Sequence, residues 1–312
     1  MTSSTTSNLA PSLDAESQHA PPQAAFAARR KAFRALHEQG CFVIPNPWDV
    51  GSARYLQHLG FPALATTSAG FAFSQGLPDS TDDVVVGRDR SLAHIASITA
   101  AVDLPVSADF MSGYGLEPED VAESVARCIA TGVAGLSIED ATGDSSSPLY
   151  DLPVAVDRVR AARKAIDQSG NHVLLTARAE CYHVGHPAPF RECVQRLQAY
   201  AAAGADVLFA PGLRKPEEIK DLVEAVAPKP LNLLVVNDIG LDVGNIAALG
   251  VRRISLGGAL ALAAWTGFIH AANTLRSEGS FAGLASLVPY AEMNGLFATA
   301  LHARQTAGRT AT

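Results

Sequence analysis

Two acidic residues and one arginine each end a short apolar run, and small or polar residues follow. Asp109 and Glu139 end two such runs, and Arg178 ends a third. A β-strand that carries a polar side chain at its carboxyl end and then turns into a helix is how parallel α/β folds build sites. Two acids and an arginine at successive strand ends predict a pocket for a divalent metal ion and an anionic substrate.

The donor types indicate which metal and which chemistry. Oxygen ligands without a His or Cys partner suit Mg²⁺ or Mn²⁺. A 2-oxo acid can chelate such an ion, which then acts as a Lewis acid and stabilises the enolate formed when the neighbouring bond breaks. Arg178 can clamp a second anionic group. Taken singly, each residue is about as well explained as a buried acid at a helix N-terminus, a helix cap or a structural ion pair; together they favour a site.

The elements that must position these residues form a regular series. About eight alternations of strand and helix run between residues 24 and 258, without a break in composition. This rhythm predicts a (β/α)₈ TIM barrel, an α/β fold, in one domain over residues 24–312. Two surplus helices are predicted near the C-terminus, over 259–276 and 286–307. Strand ends of a barrel share one face, so Asp109, Glu139 and Arg178 should converge.

Composition excludes several classes of partner. The chain of 312 residues has a net charge of −7 and no basic cluster, which argues against nucleic acid. No apolar run reaches the ~18 residues of a membrane span. Residues 1–23 are rich in Ser, Thr and Pro and lack the apolar core of a secretory signal, so they predict a disordered tail. The four cysteines show no CxxC spacing, which is typical of reduced, cytoplasmic thiols.

Four local patterns carry further expectations. Asp49 is expected to cap a helix. Residues 68–79, many of them small, are expected to form a long loop whose N–H groups can face an anion. The Arg- and Lys-rich face of the helix over 154–168 is expected to be solvated. The pair His183 and His186 is expected in a lid or subunit contact rather than a metal site.

Several short motifs, taken in their order and spacing, make the chain from about Gly40 to Trp265 resemble the isocitrate lyase/phosphoenolpyruvate mutase superfamily. The motifs are Asn46-Pro-Trp-Asp49, Thr66-Thr-Ser-Ala-Gly70 with Gly76-Leu-Pro-Asp79, Ser107-Ala-Asp109 with Gly113-Tyr-Gly115, residues 132–140, Ala177-Arg-Ala-Glu180, and Gly204-Ala-Asp206. The resemblance implies a barrel whose last helix is exchanged between subunits of a homodimer or homotetramer. It also implies Mg²⁺ and the cleavage or formation of C–C or P–C bonds beside a 2-oxo acid.

Carried over by position, the resemblance assigns roles to single residues. Asp109 is implied as the direct metal ligand and Glu139 as the outer-sphere acid. Asp79 is implied as the acid that orients metal-bound water, and Arg178 as the anion-binding arginine. The segment that grips the substrate carboxylate and oxo group is implied to be Thr67, Ser68 and Ala69.

Three departures from the family pattern narrow the expected activity. Met111 occupies the place of a second acid after Asp109. The run 141–147 contains no Cys, which disfavours isocitrate and methylisocitrate lyase activity, and it lacks the Lys of phosphonate-processing members. The expected function is a Mg²⁺-dependent lyase or hydrolase that cleaves a C–C bond in a small 2-oxo (di)carboxylic acid. The alternatives are a catalytically weakened barrel that binds ligands or assembles, and a P–C bond enzyme of the phosphonopyruvate type.

Overall fold

The computed structural model describes residues 23–79 and 86–310, with side chains up to residue 302. Eight parallel strands form one sheet. They are β1 Phe42–Ile44, β2 Leu64–Ala65, β3 Val106–Asp109, β4 Gly135–Glu139, β5 Leu174–Arg178, β6 Val207–Phe209, β7 Leu231–Leu234 and β8 Arg253–Ser255. The predicted tail, 1–23, lies outside the described residues except for its last position.

Eleven helices are assigned in the described ranges. They are α1 Gln23–Leu36, α2 Val50–His58, α3 Ser68–Ser74, α4 Arg88–Ala101, α5 Pro118–Ala130, α6 Leu152–Ser169, α7 Pro189–Ala202, α8 Pro216–Val226, α9 Val243–Ala248, α10 Ala259–Glu278 and α11 Tyr290–Thr310. A single 3₁₀ turn, Ala282–Leu284, separates the last two. Helices follow every strand, so the (β/α)₈ prediction is confirmed.

The sheet curls until its two edge strands, β1 and β2, nearly meet. One backbone hydrogen bond joins them there, from Ala65 N to Pro45 O at 3.0 Å. The side chain of Asn46 completes the junction: Nδ2 donates to Thr66 O at 2.8 Å, and Oδ1 accepts from the N–H groups of Leu256 and Gly257, both at 2.9 Å. A single amide therefore ties together the carboxyl ends of β1, β2 and β8.

Helix α1 covers the amino-terminal end of the barrel. Its Phe33 side chain is fully buried, and a Cβ added to Gly135 at the start of β4 would lie 2.7 Å from the Phe33 ring. Arg30 fixes the helix by donating to Val133 O at 3.0 Å. The Phe33 ring therefore fills space at this end, and active sites of such barrels lie at the opposite, carboxyl-terminal end.

A buried arginine without an acidic partner among the described residues fills part of the barrel interior. Arg253 donates to Asn232 Oδ1 at 2.8 Å and to Thr176 Oγ1 at 3.0 Å. Its third contact is His37 Nε2, at 3.4 Å, while His37 Nδ1 lies 2.8 Å from Phe33 O. Burial and the charge of Arg253 lower the pKa of His37 to about 3. The ring is therefore neutral and accepts from Arg253.

The predicted cap of α2 is confirmed. Asp49 Oδ1 accepts from Ser52 N at 2.7 Å, and Ser52 Oγ accepts from Asp49 N at 3.1 Å, so the two residues form a capping box.

The prediction of a long loop over residues 68–79 is wrong in its first half. Ser68–Ser74 forms α3, and Thr67 caps it by accepting from Gly70 N at 3.2 Å. Thr67 and Trp48 confine Gly70: an added Cβ would lie 2.7 Å from Thr67 Cγ2 and 2.8 Å from Trp48 Cβ. The small residues were interpreted as loop formers, but they let a short helix pack close to neighbouring chain.

The charged face of α6 is exposed at Arg160 and Lys164, as predicted, but the prediction is wrong for Arg158. Arg158 is only 2% exposed. Its guanidinium donates to Ser112 O at 2.7 Å and to Leu116 O at 2.6 Å, and it lies 4.2 Å from the centre of the Tyr150 ring. The arginine therefore holds the glycine-containing loop after β3 in place.

The two surplus C-terminal helices are present as α10 and α11. Only Ala261 of α10 is buried within the chain. Large apolar side chains along the helix are exposed, namely Leu262, Trp265, Phe268, Ile269 and Leu275. No helix in the described residues is long and apolar enough to cross a membrane.

Candidate active site

The register of three neighbouring strands brings the predicted residues together. Glu139 on β4 is the direct partner of Arg178 on β5, and Asp109 on β3 pairs with Ser137. Because side chains alternate along a strand, Ser137 and Glu139 point to the same side. Arg178 Nη1 consequently lies 2.8 Å from Asp109 Oδ1 and 3.1 Å from Glu139 Oε2.

A third carboxylate, which sequence analysis left without a role, holds the same arginine. Glu180 Oε1 accepts from Nε and Nη2 of Arg178, each at 2.9 Å. Its other oxygen, Oε2, lies 2.9 Å from His183 Nδ1. The Phe209 ring lies 5.1 Å from the guanidinium carbon of Arg178. The spacing of Arg178 and Glu180, two residues apart at a strand end, was a usable signal for this pairing; the His183 contact depends on a loop turn that the sequence does not specify.

The segment after β2 packs directly against Asp109. Thr66 Oγ1 accepts from Asp109 N at 2.9 Å, and Ser68 N donates to Asp109 Oδ2 at 3.0 Å. Thr67 and Ala69 flank this contact at the start of α3. The predicted substrate-gripping segment therefore lies beside the predicted metal ligand.

Asp79 reaches the same cluster from the end of the described segment. Its carboxyl shares a hydrogen bond with the Ser68 side chain and interacts electrostatically with Asp109, Arg178 and His183. Partial desolvation raises the pKa of Asp79, and the charge of Asp109 raises it further. The predicted site residues thus all lie at one rim of the barrel; their individual roles remain predictions.

Nearby charges and hydrogen bonds shift the pKa values of the two buried glutamates in opposite directions. Desolvation raises the pKa of Glu139 well above its ordinary value, against the attraction of Arg178. Burial acts in the same direction on Glu180, but Arg178 and the His183 hydrogen bond outweigh it and lower that pKa. Burial alone lowers the pKa of Arg178, and the surrounding carboxylates reverse this, so the guanidinium stays charged. Glu180 is therefore the carboxylate that pairs with Arg178 most closely, and Glu139 is the carboxyl whose charged form burial disfavours.

A second buried network positions Glu180. Asp140 accepts from Glu180 N at 2.8 Å, from Tyr200 Oη at 2.5 Å and from Arg196 Nη1 at 3.1 Å. Since all four groups are buried, these bonds fix the course of the chain immediately after β5. Glu139 does not form the helix cap that was its alternative explanation, because it faces Arg178; the neighbouring Asp140 instead bonds to the chain after β5.

The donor chemistry of the rim fits a divalent cation. Asp109, Glu139 and Glu180 surround one arginine, so the cluster has more carboxylates than cations. No group of three or more His, Cys, Asp or Glu side chains among the described residues is arranged as a complete metal site. Mg²⁺ usually takes only one or two carboxylates and keeps several waters. Asp109 and Glu139 can therefore hold it, with the charge of the ion offsetting their mutual repulsion.

Tyr114 and Met111, two other residues of the sequence motifs, are held by packing and hydrogen bonds. Tyr114 adopts a φ of 51° and its Oη lies 2.6 Å from Ser91 Oγ, with its ring against Phe110. Met111, where the family places a second acid, also has a φ of 51° and is buried. Its carbonyl accepts from Glu139 N at 2.9 Å.

An eight-stranded barrel with acids and an arginine at the carboxyl ends of adjacent strands is the architecture of metal-assisted barrel enzymes. The family model for phosphoenolpyruvate phosphomutase matches residues 33–276. The chain belongs to the phosphoenolpyruvate mutase/isocitrate lyase superfamily.

Three similar proteins illustrate its place there. A solved structure from Burkholderia cenocepacia J2315, described as a lyase/mutase, is 44% identical with a TM-score of 0.84, covering 88% of this chain and 97% of that one. An uncharacterized protein of Mycobacterium tuberculosis H37Rv is 35% identical, over 84% of this chain and 94% of its own. The oxaloacetate decarboxylase of Pseudomonas putida GB-1 is 30% identical, over 78% of this chain and 83% of its own.

Proposed function

We propose that the protein is a Mg²⁺-dependent lyase or hydrolase that cleaves a C–C bond in a small 2-oxo dicarboxylic acid, such as oxaloacetate. The observation that carries the proposal is the convergence of Asp109, Glu139 and Glu180 on Arg178 at the open end of the barrel. A relative with 30% identity is named oxaloacetate decarboxylase, which supports this substrate class.

In this proposal, some residues of the site bind the substrate and Asp79 controls a water molecule and a proton. Arg178, kept charged and oriented by Glu180, binds the carboxylate of the substrate that is remote from the oxo group. Backbone N–H groups and the hydroxyl in Thr67–Ala69 bind the 2-oxo acid end. Mg²⁺, held by Asp109 and Glu139, supplies positive charge at the keto oxygen when bound. Asp79 at the mouth orients water, and its raised pKa lets it keep a proton at higher pH than an ordinary aspartate does.

The test is turnover of a substrate panel. Purified protein with Mg²⁺ is incubated with oxaloacetate, 2,3-dimethylmalate, 2-methylisocitrate and phosphonopyruvate. We expect oxaloacetate, the 2-oxo dicarboxylate of the panel, to be consumed, and EDTA to abolish the reaction. Absence of turnover of every compound, or turnover that EDTA leaves unchanged, contradicts the proposal.

A catalytically weakened barrel is the second candidate, and the buried Met111 favours it. Loss of an outer-sphere acid typically costs a metal site ~10–100-fold in affinity or activity. Replacement Met111→Glu restores an acid at this position. If the missing acid limits the site, Mg²⁺ affinity and turnover rise together. If neither changes, the departure at residue 111 does not account for weak activity.

We also propose that the chain forms a homodimer or homotetramer through α10. The exposed apolar side chains of this helix, among them Trp265, Phe268 and Ile269, would be covered by a partner subunit. Exposed apolar surface of this extent on one helix is typical of an interface.

A further inference from the structure

A separate cavity of about 550 Å³ opens on the same face of the barrel, outside the carboxylate cluster. It lies between the loop after β5 and the loop after β6. Tyr182 and Phe190 give it an aromatic wall, and Arg191, Arg214 and Lys215 give it positive charge. Its volume is within the range of small-molecule sites, about 300–1,000 Å³.

The charge of this cavity is not balanced from within. Glu218 is the acidic residue in the lining, and it is already engaged: Oε1 accepts from Lys215 Nζ at 2.8 Å and Oε2 accepts from Tyr182 Oη at 2.9 Å. The Lys215 hydrogen bond lowers the pKa of Glu218, which keeps it ionised. Arg191 and Arg214 form no ion pair within the described residues. Both side chains are exposed and line the cavity, so their guanidinium groups are available to a ligand.

The positions of two cations add to the imbalance. Arg191 is the third residue of α7, and Lys215 immediately precedes α8. Helix N-termini carry partial positive charge and favour anions, so cations are disfavoured there. Glu192 in the first turn of α7, and Glu217 and Glu218 in that of α8, offset part of this repulsion. An anion bound between the two helix ends would offset more of it and would accept hydrogen bonds from the arginines.

Close contact of the two loops forms the floor of the cavity. Gly212, with a φ of +93°, lies against the loop after β5, and an added Cβ would be 2.6 Å from Tyr182 Cβ. His183 also borders Gly212 and bonds to Glu180, which holds Arg178. The cavity is thus separated from the carboxylate cluster by the His183–Glu180 pair.

We propose that this cavity binds a small organic anion that has a planar or apolar body and a phosphate or carboxylate group. Arg191 and Arg214 bind the anionic group, since guanidinium forks match both chemistries. Tyr182 and Phe190 pack against the body. The proposal concerns a second site and does not depend on the reaction at the rim.

Calorimetric titration of the full-length protein at low salt tests the proposal. The probes are adenosine 5′-monophosphate, 2-naphthoate and inorganic phosphate, and the first two distinguish a phosphate from a carboxylate ligand. We expect saturable binding of at least one organic anion with a Kd below about 1 mM, and binding of inorganic phosphate weaker by about tenfold, since it lacks the apolar body.

Paired variants locate the binding. Arg191→Ala with Arg214→Ala should weaken the organic anion about tenfold or more. Arg160→Ala with Lys220→Ala removes the same charge from exposed sites outside the cavity and should leave affinity unchanged. Should the first pair lower the unfolding temperature, Arg191→Met with Arg214→Met replaces it, because methionine keeps most of the side-chain volume without the charge.

Three results overturn the inference. The first is no saturable binding of either organic anion. The second is equal weakening in the cavity pair and the control pair, which reflects net charge alone. The third is loss of binding in Arg178→Gln with affinity retained in the cavity pair, which places the anion in the carboxylate cluster. Failure of the substrate panel leaves these binding results intact, so the two proposals fail separately.

Discussion

Arg178 on β5 reaches across β4 to donate to Asp109 on β3, with Nη1 and Oδ1 2.8 Å apart. The same nitrogen lies 3.1 Å from Glu139 Oε2 on the strand between. Three adjacent strands thus contribute one polar side chain each to a single point.

Replacement Arg178→Lys should lower kcat/KM by about 100-fold, the cost of misplacing a reacting group by about 1 Å. Lysine retains the charge but has a single nitrogen, so it cannot donate two hydrogen bonds to Glu180 from separate nitrogens and a third to Asp109. Steady-state kinetics measure the change. Arg160→Lys, on the exposed face of α6, is the control and should behave as wild type. Unchanged kcat/KM in Arg178→Lys would show that the fork geometry is dispensable.

Replacement Asp109→Asn should reduce Mg²⁺ affinity by more than about 100-fold, since even outer-sphere changes cost ~10–100-fold. Asp79→Asn should leave metal affinity nearly unchanged and lower kcat. Mn²⁺ titration followed by electron paramagnetic resonance measures binding, and turnover is measured in parallel. If the two variants exchange these behaviours, the assignment of ligand and water-orienting acid is reversed.

Replacement Phe33→Ala should destabilise the fold by about 3–5 kcal/mol, because a fully buried ring at the closed end of the barrel is lost. Leu116→Ala, at a side chain that is 79% exposed, should change the free energy of unfolding by less than about 0.5 kcal/mol. Urea denaturation followed by circular dichroism measures both. A small effect at Phe33 would mean that α1 is not part of the stable core.

Protonation of His37 should destabilise the protein in acid. The pKa of His37 falls from 6.5 to about 3 on folding, so between these values the unfolded chain binds a proton that the native chain does not. Stability is therefore full above about pH 6.5 and decreases as pH falls, by up to about 1.4 kcal/mol per pH unit. His37→Gln should reduce this slope by that amount, and His58→Gln, at an exposed site, should not. Equal slopes in all three proteins would contradict a neutral, half-buried imidazole at His37.

Replacement Phe268→Asp should shift the protein towards the 32.5 kDa monomer, because a charge on the exposed apolar face of α10 opposes its burial between subunits. Light scattering coupled to size-exclusion chromatography measures the mass. Leu116→Asp, on the barrel rim, is the control and should leave the mass unchanged. A monomeric wild-type protein at micromolar concentration would contradict the proposed assembly.

The sequence was sufficient to predict the barrel and the rim because both depend on short-range regularity. Strand–helix alternation determines the fold, and the position of Asp109, Glu139 and Arg178 at strand ends determines their convergence. What the sequence could not predict depends on contacts between distant segments. Arg158 looks like a surface charge on its helix, and only the folded loop after β3 provides the carbonyls that bury it. His183 meets Glu180 only because the chain turns between them, and small residues after Thr67 suit a loop or a tightly packed helix equally well.

The amide of Asn46 has a consequence for how the barrel tolerates change. One backbone hydrogen bond connects β1 to β2, and the Asn46 side chain, which follows β1, forms hydrogen bonds to the chain after β2 and after β8. The segment it holds on one side leads into Thr67–Ala69, and the segment on the other leads into α10. Loss of the Asn46 hydrogen bonds would disturb both the binding of substrate and the association of subunits. Asn46 itself lies neither in the proposed substrate site nor on the exposed face of α10.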